Sequence, residues 1–522
     1  MSASGAAASA SGDGTPRILH LGLGNFHRAH QALYTEDAGR HGRPWEITGV
    51  AGSTRGVVEA LHRQGMRYSV VTLGPRHTGV RQVAAVTDAF VAADDPRRVP
   101  REIADPRTRV VSLTVTEKGY AVSPRTGRLD LDAPDIRADL DGQGPPRSTV
   151  GRLAAGLLRR ARESGAPVTV LSCDNITANG TTLAGLLRGF AAAMPSRDGA
   201  ELAAALEEFV TFPDTMVDRI VPATTDAHRS TAAEAGFADE VPVPAEPFTM
   251  WVMRDRFAAG RPAWEEAGAV LSDRVHDYEQ IKVRLLNGSH SLLAYLGLLT
   301  GRELIADAAA DPAIARAVAL LGDEYEPTLT LPEGFDVTAY RAELGERFAN
   351  RRLGHRTAQV GADGSLKLAQ RVPGAALWHL AAGRVPSALA LTVAAWLRCT
   401  AYPEALDAGR TGVPPEPAGA RIRELAARCG GTGGTGSTGG TGAGGRGALR
   451  LAREVLTHEA VLGRRLGEQG EFVERVAELL DALERGGADA AVREACAAGA
   501  GRGSGNGDAA GAAGPRGRPV PP

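Results

Sequence analysis

Lysine is nearly absent from this chain of 522 residues: Lys118, Lys282 and Lys367 are the only three, and the rest of the 59 basic side chains are arginine. Wherever a plain positive charge suffices the sequence uses arginine, so each retained lysine invites a reason. Arginine keeps its proton at any accessible pH, whereas a buried lysine can release it and act as a base. Cysteine is scarce too. Cys173, Cys399, Cys429 and Cys496 lie far apart, which excludes a disulfide framework and a zinc cluster and points to reduced thiols. No long apolar run occurs: "ALALTVAAWL" falls short of the roughly 20 residues that a membrane helix needs. The start, "MSASGAAASASGDGTP", has neither the charged nor the apolar region of a signal peptide. A net charge of −2 with both signs spread along the chain leaves no basic stripe for nucleic acid and no polybasic membrane anchor. These absences predict a cytoplasmic protein whose partners are small molecules, with neither nucleic acid nor membrane among them.

The length implies two domains plus tails. Low-complexity segments at 1–16 and 497–522 cannot bury a core and read as disordered. Between them, 17–246 reads as a dinucleotide-binding domain and 247–496 as a helical domain carrying a glycine-rich loop at 430–445, since a longer surface loop adds little closure entropy.

The first domain opens with "RILHLGLGNFHRAHQALYTEDAG", an apolar strand ending in Gly22-Leu-Gly24 before a helical pattern. Strand, glycine turn and helix N-terminus together make a phosphate site. A lone GxG also occurs in ordinary tight turns, but "WEITGVAG", "RVVSLTVTE" and "APVTVLSCD" add strands with helices between them, the pattern of a doubly wound parallel sheet. Gly22, Gly24, Asn25, Phe26, His27 and Arg28 are the expected cofactor turn, joined by Thr116, Glu117 and Lys118 of "TEKGY" at the end of a later strand. His27 and His30 have metal-ligand spacing but no third ligand nearby, so no metal is expected.

Asparagine is scarce as well, at six residues. Asn175 and Asn179 in "CDNITANG" either tolerate a left-handed loop or donate hydrogen bonds to an oxyanion. Asn287 lies in "DYEQIKVRLLNGSHSLLAYLGLL", which reads as a helix. At about 100° per residue Glu279, Lys282, Leu286, Asn287 and His290 share a broad face. The other surfaces are apolar too, so these polar groups are buried and must be paired or functional.

"GLGNFHRAHQALYTED", "TVTEKGY", "SCDNITANG", "FPDTMVDRIVP" and "KVRLLNGSH" resemble the polyol-specific long-chain dehydrogenases, the mannitol dehydrogenase family, over about residues 17 to 496. The resemblance implies an α/β Rossmann-type N-terminal domain, a mostly α-helical C-terminal domain and metal-independent hydride transfer with a nicotinamide. It also assigns roles. Lys282 is the general base, Asn287 with Asn175 or Asn179 holds the developing oxyanion, His290 orients the substrate, and Glu279 passes protons to solvent. Asp218 in "MVDRI" has a structural or substrate role. "RRLGHRTAQVGADGSLKLAQR" resembles the fructuronate reductases of the family and offers Arg356, Lys367 and Arg371 to a substrate carboxylate. D-fructuronate/D-mannonate interconversion is therefore expected ahead of D-fructose/D-mannitol. NAD is the expected cofactor on family grounds. "GVAGSTRGVVEA" lacks the acid that grips the ribose hydroxyls, and Arg55 is placed for a 2′-phosphate, so NADP stays open. A catalytically silent nucleotide-binding regulator is the rival reading, against which the Lys282, Asn287 and His290 set argues.

Overall fold

In this computed structural model the described residues are 14–429 and 443–500, apart from 124–125, 143, 459–461 and 463. Of the expected tails at 1–16 and 497–522 and the glycine-rich loop at 430–445, residues 1–13, 501–522 and 430–442 lie outside them. Residues 497–500, expected in the C-terminal tail, instead extend the helix Gly470–Ala500.

The first compact unit contains the described residues up to Lys282 together with Thr330–Gly354. Its main sheet has strands β1 (Arg17–Leu21), β2 (Glu46–Ala51), β3 (Val86–Val91), β4 (Thr108–Leu113), β5 (Val168–Ser172) and β6 (Val210–Thr211). They pair in the order β3-β2-β1-β4-β5-β6, every pair parallel. Short runs such as "RILHL" and "VTVLS" are buried at every position, as strands covered on both faces must be. The order reverses between β1 and β4, and such a switch point leaves a crevice outside the carboxyl ends of the strands. The unit's core includes a large hydrophobic cluster around Leu153, Leu183 and Phe190 and another around Tyr34, Trp251 and Trp264.

The first compact unit continues past the boundary expected at 246/247. Met250–Met253 pairs with Thr215–Asp218 antiparallel and with Val270–Leu271 in parallel, and those hydrogen bonds hold the chain up to Lys282 in the first unit. Thr330–Gly354 returns to it because Arg347 meets buried Asp218 and Glu246 and Asn350 Nδ2 donates to Leu73 O at 2.7 Å.

The second unit, the described residues of 283–329 and 355–522, is built from helices, among them Ser289–Leu299, Pro312–Tyr325, Ser387–Ala401 and Gly470–Ala500. Ser387–Ala401 holds the longest apolar run and is buried at every position but Arg398. It packs against Ser289–Leu299 and Gly470–Ala500, so its all-round hydrophobicity belongs to a helix at the centre of a bundle. Among the described residues no helix is long and apolar enough to cross a membrane.

Candidate active site

At the switch point the chain leaves β1 through Gly22, whose φ of +105° only glycine adopts readily. A Cβ there would lie 2.1 Å from the Thr114 carbonyl oxygen, so the close approach of the β1 and β4 ends also requires glycine. His20 braces the turn from below: Nδ1 lies 2.9 Å from Ser112 Oγ, and Nε2 lies 3.1 Å from Gly22 O and 2.9 Å from Thr114 Oγ1. Burial drops its pKa to about 3, so the ring is neutral, with its proton on the nitrogen facing the carbonyl. Above the turn is a cavity of about 360 Å³ lined by Gly22, Gly24, Gly52, Thr54, Gly119 and Arg152, among others.

Gly22 and Gly24 therefore stand where the sequence places them, but the side chains of the next four residues do not line this cavity. Asn25 Nδ2 donates to Pro222 O and Thr224 Oγ1 at 3.3 and 3.2 Å. Arg28 is buried, donating to Val241 O at 2.6 Å and Asn25 Oδ1 at 2.8 Å. His27 stacks on His20 with ring centroids 3.4 Å apart, and Phe26 stacks on His30. Burial holds His27 well below its ordinary pKa and His30 at about 3. His30 Nε2 faces Met250 O at 3.1 Å. The physical reason is the shortness of the helix Asn25–Ala29, whose side chains are taken up by the core and by the 222–250 segment. Thr116 is not among the residues lining the cavity: its N–H donates to Asp174 Oδ1 at 2.8 Å, and its φ of 65° is unusual for a side-chain-bearing residue. The side chains of Glu117 and Lys118 lie outside the described residues. Arg55, expected at a 2′-phosphate, is exposed and paired with Asp94.

Lys282 ends the first unit. It is 9% exposed, and Nζ donates to Asn175 Oδ1 at 2.7 Å and to Val217 O. The structure separates the two loop asparagines. Asn175 is exposed beside the lysine. Asn179 is buried, with its amide donating to Asp174 O and to Thr215 O and Oγ1 at 3.0–3.1 Å, and its oxygen accepting from Gly180 N and Thr215 N at 2.8–2.9 Å. That leaves Asn179 nothing to offer a ligand and makes it a brace of the loop. Ala178, between them, is left-handed at φ 46°. Glu279 lies one turn before the lysine and accepts from the Ala178 backbone. Burial raises its carboxyl pKa, partly offset by His276, whose Nδ1 is 3.3 Å from Oε2.

The helix of the lysine motif is not uniform. Val275–Ile281 is α-helical, Lys282–Gly288 is π-helical, and Ser289–Leu299 is α-helical again. Wider i→i+5 turns are common at functional sites, and they displace the single face expected at 100° per residue. In the second unit Gly288 packs on Tyr325, where a Cβ would meet the ring at 2.6 Å. Arg371 Nη1 donates to Asn287 O at 2.8 Å and to Ser291 Oγ at 2.7 Å. Arg371 thus holds the π segment's backbone, a role that spacing does not suggest. His290 is buried with its ring edge-on to His355, centroids 5.7 Å apart. Burial lowers the His355 pKa, and the nearby Lys367 charge lowers it further. Lys367 Nζ also donates to Val360 O at 3.2 Å. Arg356 is exposed and paired with Glu303, apart from this group.

Asp218 is likewise committed. Its two oxygens accept from Arg347 Nη1 and Nη2 at 2.9 Å each, and Glu246 completes the cluster. Asp218, Arg347 and Glu246 thus form a buried ion cluster. Sequence reasoning missed Arg347, Arg152, His20 and the Val217 carbonyl. In so arginine-rich a chain nothing marks two particular arginines, and a backbone oxygen has no sequence signal at all.

The strand order and the glycine turn define a Rossmann-type dinucleotide-binding fold. The model of the mannitol dehydrogenase Rossmann domain matches residues 16–266, and that of the mannitol dehydrogenase C-terminal domain matches residues 274–424. The chain is 43% identical to D-mannonate oxidoreductase of Escherichia coli over 74% of its own length and 80% of that protein. It is 37% identical to mannitol 2-dehydrogenase of Cereibacter sphaeroides over 79% and 86%. Its structure resembles Pseudomonas fluorescens mannitol 2-dehydrogenase, solved as a ternary complex with NAD and D-mannitol, with a TM-score of 0.79 and 32% identity over 93% and 95% of the two chains. The chain belongs to the mannitol dehydrogenase family and is an oxidoreductase acting on CH–OH groups.

Proposed function

We propose that the chain interconverts D-fructuronate and D-mannonate with NAD(H), without a metal, and that Lys282 is its general base. The observation that carries this reading is the buried Lys282 amine held on Asn175 Oδ1 in a chain that otherwise uses arginine. The cavity over Gly22 fits a dinucleotide, because no Cβ obstructs the turn at Gly22 and none at Gly52 would meet an atom within 4 Å. When bound there, the nicotinamide supplies or accepts the hydride. During oxidation Lys282, as free amine, takes the proton of the substrate hydroxyl; during reduction its ammonium returns that proton to the carbonyl oxygen. The Asn175 and Asn287 amides hold the oxygen on which charge develops. His290 orients the substrate, and Glu279 relays protons to solvent. The unpaired Cys173, Cys399, Cys429 and Cys496 support a reducing compartment, the cytoplasm.

Gly22→Ala tests the cofactor site. Left-handed strain of ~1–2 kcal/mol, added to the collision with Thr114 O, is expected to raise the NADH dissociation constant at least about tenfold in a fluorescence titration. Unchanged affinity would remove the glycine turn from the cofactor site.

The substrate is tested by measuring NADH and NADPH oxidation with keto-uronates and keto-sugars. Support for a uronate comes from the 43% identity to a D-mannonate oxidoreductase and from Lys367 near His355. A charge-assisted hydrogen bond contributes roughly 1.5–3 kcal/mol. Lys367→Met is therefore expected to lower kcat/KM for fructuronate by about 10- to 150-fold and for fructose, which has no carboxylate, much less. A wild type that prefers fructose, or equal losses on both substrates, would make D-fructose/D-mannitol the better reading, in keeping with the resemblance to mannitol 2-dehydrogenases.

A further inference from the structure

The cavity over the glycine turn contains a cation that none of the sequence motifs announces. Arg152 lies in the first turn of the helix Thr149–Glu163 and lines that cavity together with Gly22 and Gly24. Among the described residues lining it, Arg152 alone is charged. Its one hydrogen bond to a described residue runs from Nε to Pro146 O at 3.4 Å, which leaves the two terminal nitrogens of the guanidinium uncommitted. The neighbouring acid does not claim them. Asp139 Oδ1 accepts from Arg147 N at 2.7 Å, and Oδ2 accepts from Ser148 N and Ser148 Oγ at 2.9 and 2.6 Å, so its carboxylate is spent on capping this same helix.

Arg160, two turns further along the helix, shows the contrast. It is fully buried, and its guanidinium donates to the carbonyls of Ile103, Asp105, Ala166 and Pro167 at 2.6–3.0 Å, the pattern of a structural arginine. Arg55, next in sequence to the cavity-lining Thr54, is exposed and held bidentate by Asp94. Of these three arginines only Arg152 presents unused, partly desolvated donors to the space that a ligand would fill. A planar fork of N–H groups in that state suits phosphate oxygens.

We infer that Arg152 is a phosphate-binding residue of the cofactor cavity, its guanidinium meeting a dinucleotide phosphate held in the space it shares with the glycine turn. The inference rests on the proposed cofactor site and names a contact within it. The phosphate is either the pyrophosphate shared by all nicotinamide dinucleotides or the 2′-phosphate of NADP(H), and the ligands chosen below separate the two.

The test is a titration of wild type, Arg152→Lys, Arg152→Gln and Arg152→Met with NADH, NADPH, ADP-ribose and adenosine, with a thermal melt of each ligand-free variant to verify folding. Loss of a charge-assisted contact is expected to weaken NADH and ADP-ribose binding to Arg152→Met by about 10- to 150-fold. Arg152→Gln should behave alike, Arg152→Lys should keep part of the affinity, and adenosine binding should barely change. A loss confined to NADPH assigns the contact to the 2′-phosphate. Undiminished ADP-ribose and NADPH binding by Arg152→Met and Arg152→Gln would overturn the inference, and so would an equal loss for adenosine, which has no phosphate. A wild type that binds none of the four ligands would instead sink the cofactor site itself, and the inference with it.

Discussion

Lys282→Ala is expected to lower turnover by about 10²- to 10⁴-fold, the range that a positioned proton-transfer group contributes, while the NADH dissociation constant stays nearly unchanged. The geometry separates the two effects: the Lys282 amine sits on Asn175 and Val217, and neither residue lines the cavity over the glycine turn. Lys282→Arg is the sharper form of the experiment. It keeps the positive charge and much of the length but cannot give up its proton, so it should be as inactive as alanine. Steady-state kinetics with a keto-uronate and NADH read both variants. An active arginine variant would mean that charge alone is needed there, and near wild-type turnover by the alanine variant would remove Lys282 from the mechanism.

The second large effect concerns stability. Arg347→Met is expected to cost about 3–5 kcal/mol, because it leaves Asp218 and Glu246 buried and without their counter-ion. The side chains of Asp218, Glu246 and Arg347 are 4%, 1% and 4% exposed, so water cannot replace the arginine. The pH dependence has a definite sign. Burial raises the Glu246 pKa even with Arg347 opposing the shift, and removing the cation raises it further. A carboxyl whose folded pKa is raised binds its proton more tightly in the folded state, so its destabilising ionisation is complete only above that pKa. The deficit should therefore be greatest at neutral pH and shrink as the pH falls towards the carboxylate range. Urea unfolding at several pH values measures it. A deficit below about 1 kcal/mol, the value of an exposed pair, would show that the cluster does not hold Thr330–Gly354 to the first unit.

Several features were legible without coordinates. Short Val/Ile/Leu runs ending in glycine turns define parallel strands, because a strand covered on both faces needs continuous apolarity. The observed β3-β2-β1-β4-β5-β6 order is the arrangement such βα repeats adopt. Lys282 stood out because arginine serves at nearly every other basic position. The helix pattern around it was legible as well, although its π turns were not. They depend on Gly288 packing against Tyr325 and on Arg371 binding Asn287 O, contacts with residues 37 and 84 positions away in sequence.

What the tertiary structure alone decided is the assignment of partners. Asn175 and Asn179 are the same residue type in one loop, yet one faces Lys282 and the other is consumed by Thr215. Asp218 and Arg347 stand 129 residues apart, and no local pattern pairs them. Arg356, Arg371 and Arg152 are the same side chain at three places, respectively bound to a surface glutamate, bound to a backbone carbonyl, and left with unused donors in a cavity. Sequence by itself determines which chemistry each side chain can perform. Whether that capacity is spent or left for a ligand depends on which distant backbone and side-chain groups folding brings within about 3 Å, the reach of a hydrogen bond.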